Sequence, residues 1–230
     1  TPESVEAVYF GPEGLFPAAR AGQVFIDHST VGLALSRRQA EAAAAMDAGF
    51  LDAPVSGGVA GATNATLTIM AGGAAATFER ARPLFEALGK NIHHVGPVGS
   101  GTVIKLVNQL LVCTNVAALV EAVVLGVKAG ADPQTILDVI GTSFGGSFMM
   151  NRNIPLFIQR KFDTGTTIDL LLKDQRLIHE LADELGVRLL MGSQGRAVFS
   201  EARALGYGSA DLAGLVLPLE QQAGVEVKRP

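Results

Sequence analysis

Tryptophan is absent, cysteine occurs once and charged residues fill only 17% of the 230 positions. Each scarcity excludes something. A single cysteine, Cys113, cannot close an intrachain disulfide, and its neighbours Leu110, Leu111, Val112 and Val116 mark it as a small core residue. The four histidines, His28, His93, His94 and His179, lack metal-ligand spacing, and the adjacent pair would point to opposite faces of a strand, so no metal site is expected. Net charge is −4, and the nearest approach to a basic cluster is the pair Arg37-Arg38, which leaves no stripe to neutralise phosphates. No signal peptide is apparent. The apolar run after Val103 is interrupted by Lys105, Asn108, Gln109 and Glu121, which disfavours a membrane span. A soluble cytoplasmic protein without nucleic-acid or membrane partners is expected.

What is present is apolar: 48% hydrophobic residues, enough for two modest compact domains. The opening Thr1-Pro2-Glu3 reads as a helix entry, with Thr1 as N-cap and Pro2 in the first turn. Glycine-bounded Val24 to Asp27 is a buried strand, Leu33 to Ala48 an alanine-rich helix, and Phe50 to Val55 the next strand, which together make a βαβ unit. After a small-residue loop the pattern gives a strand at Leu67 to Met70, a helix over 75–88 and a strand at Ile92 to Val95. From Gly101 strand signals nearly vanish, and Asp132-Pro133 starts a helix to Ile140, followed by helices over 167–185 and 193–204. The fold class is therefore α/β followed by all-α, with a boundary near Val98 and a long helix joining the parts.

That helix carries the anomaly. Lys105, Asn108 and Gln109 stand at i, i+3 and i+4 on an otherwise apolar segment running to about Gly130, so an ammonium and two amides share one face. A lysine one turn into a helix can snorkel its charge to water while its stem packs. A lysine desolvated by apolar neighbours can instead trade protons with a hydroxyl or carbonyl oxygen near neutral pH. Two loops offer ligand edges. Ser29 and Thr30 follow a strand's carboxyl end and serve equally as helix caps, and Ser56-Gly57-Gly58 could hold a carboxylate or be an ordinary turn. Lys173-Asp174 alone reads as a solvated pair, and Arg152 between Asn151 and Asn153 is left open.

In order, the motifs are Ile26-Asp-His-Ser-Thr30, Asp52-Ala-Pro-Val-Ser-Gly-Gly58, Thr66-Leu-Thr-Ile-Met-Ala-Gly-Gly73, Gly99-x-Gly101-x-x-x-Lys105-x-x-Asn108-Gln109 and Leu172-Lys173-Asp174. The chain closely resembles the β-hydroxyacid dehydrogenase family from Thr1 to about Gly224, in particular its 3-hydroxyisobutyrate dehydrogenases and 2-hydroxy-3-oxopropionate (tartronate semialdehyde) reductases. The resemblance implies an NAD- or NADP-binding Rossmann part over 1–98, a helical substrate and dimerisation part over 99–230, and an active site in the cleft between. It implies Lys105 as acid/base, Ser56, Gly57 and Gly58 on the substrate carboxylate, Asn108 and Gln109 beside the substrate, and Thr30 and Lys173 near the cofactor. Gln109 stands where many 3-hydroxyisobutyrate enzymes carry a second asparagine, which leans toward the tartronate semialdehyde type.

Two departures accompany the likeness. No G-x-G-x-x-G turn occurs, so by the resemblance the sequence lacks roughly two βαβ units, among them the pyrophosphate loop and the acidic residue that reads the ribose. Ala65 stands where relatives usually have glycine. Rival readings are imine reduction, against which Lys105 argues because those relatives generally replace it, and a non-catalytic scaffold or ligand sensor, which the missing turn favours. A helix of about 30 residues spans roughly 45 Å, more than a small domain covers alone, so a homodimer or homotetramer is expected.

Overall fold

The computed structural model describes residues 1–229. The chain divides into two compact units, Thr1–Asn108 with Asp183–Leu185, and Gln109–Ala182 with the stretch from Gly186 on.

In the first unit α1 (Pro2–Phe10) starts as the sequence dictates, with the Thr1 hydroxyl accepting from the Ser4 N–H. Strand β1 (Val24–Asp27), helix α2 (Leu33–Ala44) and strand β2 (Gly49–Asp52) form the expected βαβ unit, with β1 and β2 parallel from Val24↔Gly49 to Asp27↔Asp52. The expected single strand from Phe50 to Val55 is broken. Pro54 has no N–H for a ladder, so the chain leaves β2 at Ala53-Pro54 and resumes as β3 (Val55–Ser56). The residues after Gly57, expected to be a loop, form a short helix, α3 (Gly58–Thr63).

Strand β4 (Leu67–Gly73) then runs antiparallel to β2 and β3, helix α4 (Ala75–Leu88) matches its expected bounds, and β5 (Gly89–Gly96) pairs parallel with β4. One core of this unit joins Leu51, Leu67, Ile69, Phe78 and Phe85. A second, aromatic one brings Tyr9, Phe16 and Phe50 together under α1 and α2.

Helix α5 (Ser100–Lys128) begins in the first unit and continues into the second. By length and composition alone it is apolar enough to cross a membrane. Its buried residues Val116, Val120 and Val123 instead belong to the protein core, alongside Phe157, Ile168 and Phe199. The helix is not buried all round, as its composition suggests. Ile104, Val107, Leu111 and Leu125 are exposed at 43%, 50%, 57% and 72%, a stripe at helical spacing.

In the second unit α6 (Pro133–Ile140) is capped by Asp132 as read, with the carboxylate accepting from the Thr135 N–H at 2.9 Å. Helix α7 (Phe148–Gln159) is absent from the sequence reading, and α8 (Ile168–Leu185), α9 (Leu190–Ala202) and α10 (Val216–Ala223) complete the unit. Arg152, left open above, lies on α7 and is a structural residue. Its guanidinium grips the buried Asp211 carboxylate through two bonds of 2.9 and 2.8 Å.

Candidate active site

The first turn of α5 fixes Lys105. Lys105 is only 7% exposed, and its Nζ donates to the main-chain carbonyl of Val55 at 2.8 Å. Snorkelling is thereby excluded, because the amine is inside and bonded to backbone. Val55 precedes Ser56, so the ammonium is bonded to the peptide group that joins Val55 to the Ser56 that the sequence singles out. Ser56 is half-buried and Gly57 and Gly58 are exposed. Both glycines have positive φ, +132° and +61°, and a Cβ on Gly57 would come within 3.1 Å of Leu67 Cδ2, so this turn requires glycine. Asn108, one turn beyond Lys105, is half-buried.

The turn of α5 is itself held from a distance. Asp52, 2% exposed at the end of β2, accepts from the Gly99 N–H at 2.8 Å and the Thr102 N–H at 2.7 Å. Burial lifts its carboxyl above the ordinary value, and these N–H groups pull part of that shift back. Beside it in the sheet register, Asp27 accepts from the Ser29 N–H and from Gln39 Nε2, both at 2.8 Å. The two adjacent acids thus tie their strands to α5 and α2. Sequence reasoning passed over the Asp52 role; the available signal was a carboxylate inside the apolar run Phe50-Leu-Asp-Ala-Pro-Val55.

Thr30 is half-buried in the loop after β1, and neither it nor Ser29 caps α2, whose N-cap is Gly32 without a side-chain bond. The capping explanation for those two residues is therefore removed. In the second unit, Gln109 is 8% exposed and donates from Nε2 to Asp174 Oδ2 at 2.5 Å. Lys173 pairs with the same carboxylate at 2.7 Å, with its side chain 18% exposed. The solvated-pair reading of Lys173-Asp174 is corrected accordingly: Asp174 is 3% exposed, and a buried carboxylate requires these partners.

A nicotinamide cofactor fits the first unit's ligand edge. Strands β1 and β2 are parallel, so the loop bearing Thr30 and the Ala53-Pro54 break that follows β2 lie at the same strand ends, where open α/β sheets bind ligands. The chain carries no G-x-G-x-x-G turn, and no residue here is assigned to the pyrophosphate.

Comparison with known proteins gives the family. The NAD-binding domain of 6-phosphogluconate dehydrogenase, as a family model, matches residues 1–96, and the family model for the NAD-binding of NADP-dependent 3-hydroxyisobutyrate dehydrogenase matches 99–219. A 2-(hydroxymethyl)glutarate dehydrogenase of Eubacterium barkeri is 41% identical over 97% of this chain and 74% of its own length. The 2-hydroxy-3-oxopropionate reductase of Escherichia coli strain K12 is 38% identical over 97% of this chain and 76% of its own. The crystal structure of 3-hydroxyisobutyrate dehydrogenase from Salmonella typhimurium superposes with a TM-score of 0.87 at 28% identity, covering 94% of this chain and 76% of that one. The Rossmann-like unit and the family models matched to both parts of the chain define an oxidoreductase of the dinucleotide-binding class. Within that class, the chain belongs to the β-hydroxyacid dehydrogenase family of NAD(P)-dependent enzymes.

Proposed function

We propose that this chain interconverts a small 3-hydroxy acid and its semialdehyde with NAD or NADP, and that Lys105 is the acid/base group. The observation carrying the proposal is the buried Lys105 amine, bonded to the Val55 carbonyl and one residue from Ser56. Nicotinamide, when bound, donates or accepts the hydride at the substrate carbon. In reduction Lys105 Nζ gives its proton to the oxygen of the former aldehyde; in oxidation it takes the hydroxyl proton. Burial favours this role because few waters compete for the amine's protons.

The other residues orient. The Ser56 hydroxyl and the main-chain N–H groups of Gly57 and Gly58 receive the substrate carboxylate, and the positive φ angles at both glycines suit such a concave turn. Asn108 positions the reacting oxygen or its neighbour from the same helix face as Lys105. Gln109 is assigned to the substrate and Thr30 and Lys173 to the cofactor on the family resemblance, and within the second unit the Asp174 carboxylate steadies both Gln109 and Lys173. Residues 1–98 then form the cofactor domain and 99–230 the substrate and dimerisation domain, a division supported by family-model matches that end at 96 and resume at 99.

The relatives' substrates share one chemistry. 2-(Hydroxymethyl)glutarate, 2-hydroxy-3-oxopropionate and 3-hydroxyisobutyrate all place a terminal oxygenated carbon next to the carbon bearing the carboxylate. We assign that three-carbon core to this enzyme, with tartronate semialdehyde and 3-hydroxyisobutyrate as the first members to assay. Imine-reductase structures resemble this chain at 16% and 17% identity, a likeness of fold alone. The same reading makes the protein a soluble cytoplasmic homodimer or homotetramer, in which a second copy covers the exposed apolar stripe on α5.

The test is turnover by the full-length enzyme of 2-(hydroxymethyl)glutarate, 3-hydroxyisobutyrate and glycerate, and of the semialdehyde of each, with each nicotinamide, followed by cofactor absorbance. Turnover of at least one three-carbon-core substrate supports the proposal. Stoichiometric cofactor binding without turnover of any of them would leave the sensor reading in its place.

A further inference from the structure

Asp52 does more than an N-cap needs to do. Helix ends are ordinarily capped by a side chain within a few residues. The first turn of α5 is instead held by a carboxylate 47 residues before Gly99 and 50 before Thr102, at the end of a strand. The contact has no slack. A Cβ on Gly101 would strike the carbonyl oxygens of Asp52 and Met70, and one on Gly72 would lie 2.5 Å from Asp52 Oδ1 and 2.8 Å from the Gly101 nitrogen. Helix and sheet therefore meet backbone on backbone, and the Ser36 and Thr102 hydroxyls close the same turn at 2.7 Å.

Three residues past Asp52, the same segment presents the Val55 carbonyl to Lys105, and the next residue is Ser56. The Pro54 carbonyl between them accepts from the Met70 N–H at 3.0 Å, which keeps the segment on β4. The stretch from Asp52 to Ser56 thus grips the α5 backbone at one end and the Lys105 amine at the other. Holding the carboxylate there runs against desolvation, which lifts its pKa, so the site is retained despite an energetic cost.

We infer that Asp52 is a positioning residue for Lys105: by fixing the first turn of α5 to β2, it sets the amine on the Val55 carbonyl beside Ser56. The inference rests on the acid/base reading of Lys105. Asp52 touches neither substrate nor cofactor in this account and acts through the helix. Loss of its grip leaves the amine present but displaced, and a small displacement slows proton transfer far more than it weakens binding.

The experiment compares Asp52→Asn, Gly101→Ala and Lys105→Ala in the full-length enzyme. Asparagine keeps the shape and one acceptor but turns an N–H donor toward a main-chain N–H. Asp52→Asn is expected to lose about tenfold or more in kcat, with KM changed by less than about twofold. The solvent deuterium isotope effect on kcat should rise, because proton transfer becomes slower relative to hydride transfer. Gly101→Ala, which pushes the same turn away, should show the same pair of changes, and it decides the question if Asp52→Asn does not fold. A fall in kcat with an unchanged isotope effect means fewer competent molecules and overturns the inference. Wild-type kcat in both variants with an inactive Lys105→Ala overturns the positioning role alone, whereas an active Lys105→Ala removes the acid/base reading and this inference with it.

Discussion

Lys105 Nζ and the Val55 carbonyl lie 2.8 Å apart, and that bond fixes the one lysine of an apolar helix segment inside the protein, where the proposed acid/base role requires it. It also explains why lysine suits the position better than arginine. A guanidinium is planar, larger and in effect never deprotonated, so it can neither take the proton of a substrate hydroxyl nor release one to the oxygen of an aldehyde. Lys105→Arg should retain cofactor binding and lose turnover almost as fully as Lys105→Ala, which steady-state kinetics with a cofactor titration will read.

Two buried carboxylates set opposite pH trends. At Asp211 burial raises the pKa, but the bonds from Arg152, Thr164 and the Ala213 N–H outweigh it and hold the carboxyl below its ordinary value. A depressed folded pKa means stability present above the unfolded value and lost as pH falls through the folded one. Asp52 is raised, so its ionisation costs folded-state stability as pH climbs from the ordinary carboxylate value through its own. Urea unfolding across pH should show wild type losing its advantage over Asp211→Asn in acid. Its advantage over Asp52→Asn should instead shrink as pH rises.

Removal of one partner from the Arg152–Asp211 pair leaves the other charge poorly solvated. Asp211 has a fully buried side chain and also accepts from the Thr166 and Ala213 N–H groups. Asp211→Ala is expected to destabilise the second unit by about 3 kcal/mol or more, measured by denaturant unfolding.

Ala65 adopts φ +51°, a left-handed conformation in which a Cβ is strained. Ala65→Gly should relieve that strain and stabilise the protein by roughly 0.5–1 kcal/mol after glycine's extra unfolded-state entropy is subtracted. A rise in Tm of about 1–4 °C is the expected readout.

The α5 stripe of Ile104, Val107, Leu111 and Leu125 should be covered by a second copy of the chain. Leu125→Asp places a charge in that interface. Light scattering should find the wild type as a dimer or larger and the variant shifted toward monomer, with secondary structure retained.

Much of this was legible because local chemistry and periodicity agree. Thr1 and Asp132 are strong caps followed by proline, and α4 has an apolar face at Phe78, Ala81 and Phe85 between clear boundaries. Helix α7 was hidden by the Gly145-Gly146 pair before it and by Pro155 within it, both of which read as breakers. Its buried face at Met149, Met150, Asn153, Ile154 and Phe157 has helical spacing, but Asn153 in the middle looks polar. Lys105 was identifiable as a polar residue in an apolar helix, whereas its acceptor was not, because a main-chain carbonyl leaves no trace in sequence. Asp52 shows the same limit, since its partners lie 47 and 50 residues away and are backbone N–H groups.

The most direct measurement is kcat of Lys105→Ala in the full-length enzyme, in both directions, on whichever three-carbon-core substrate the wild type turns over best. The account predicts a fall on the order of 10²-fold or more in each direction, with cofactor affinity kept within a few fold. Turnover within a few fold of wild type would contradict the assignment of Lys105 as the acid/base.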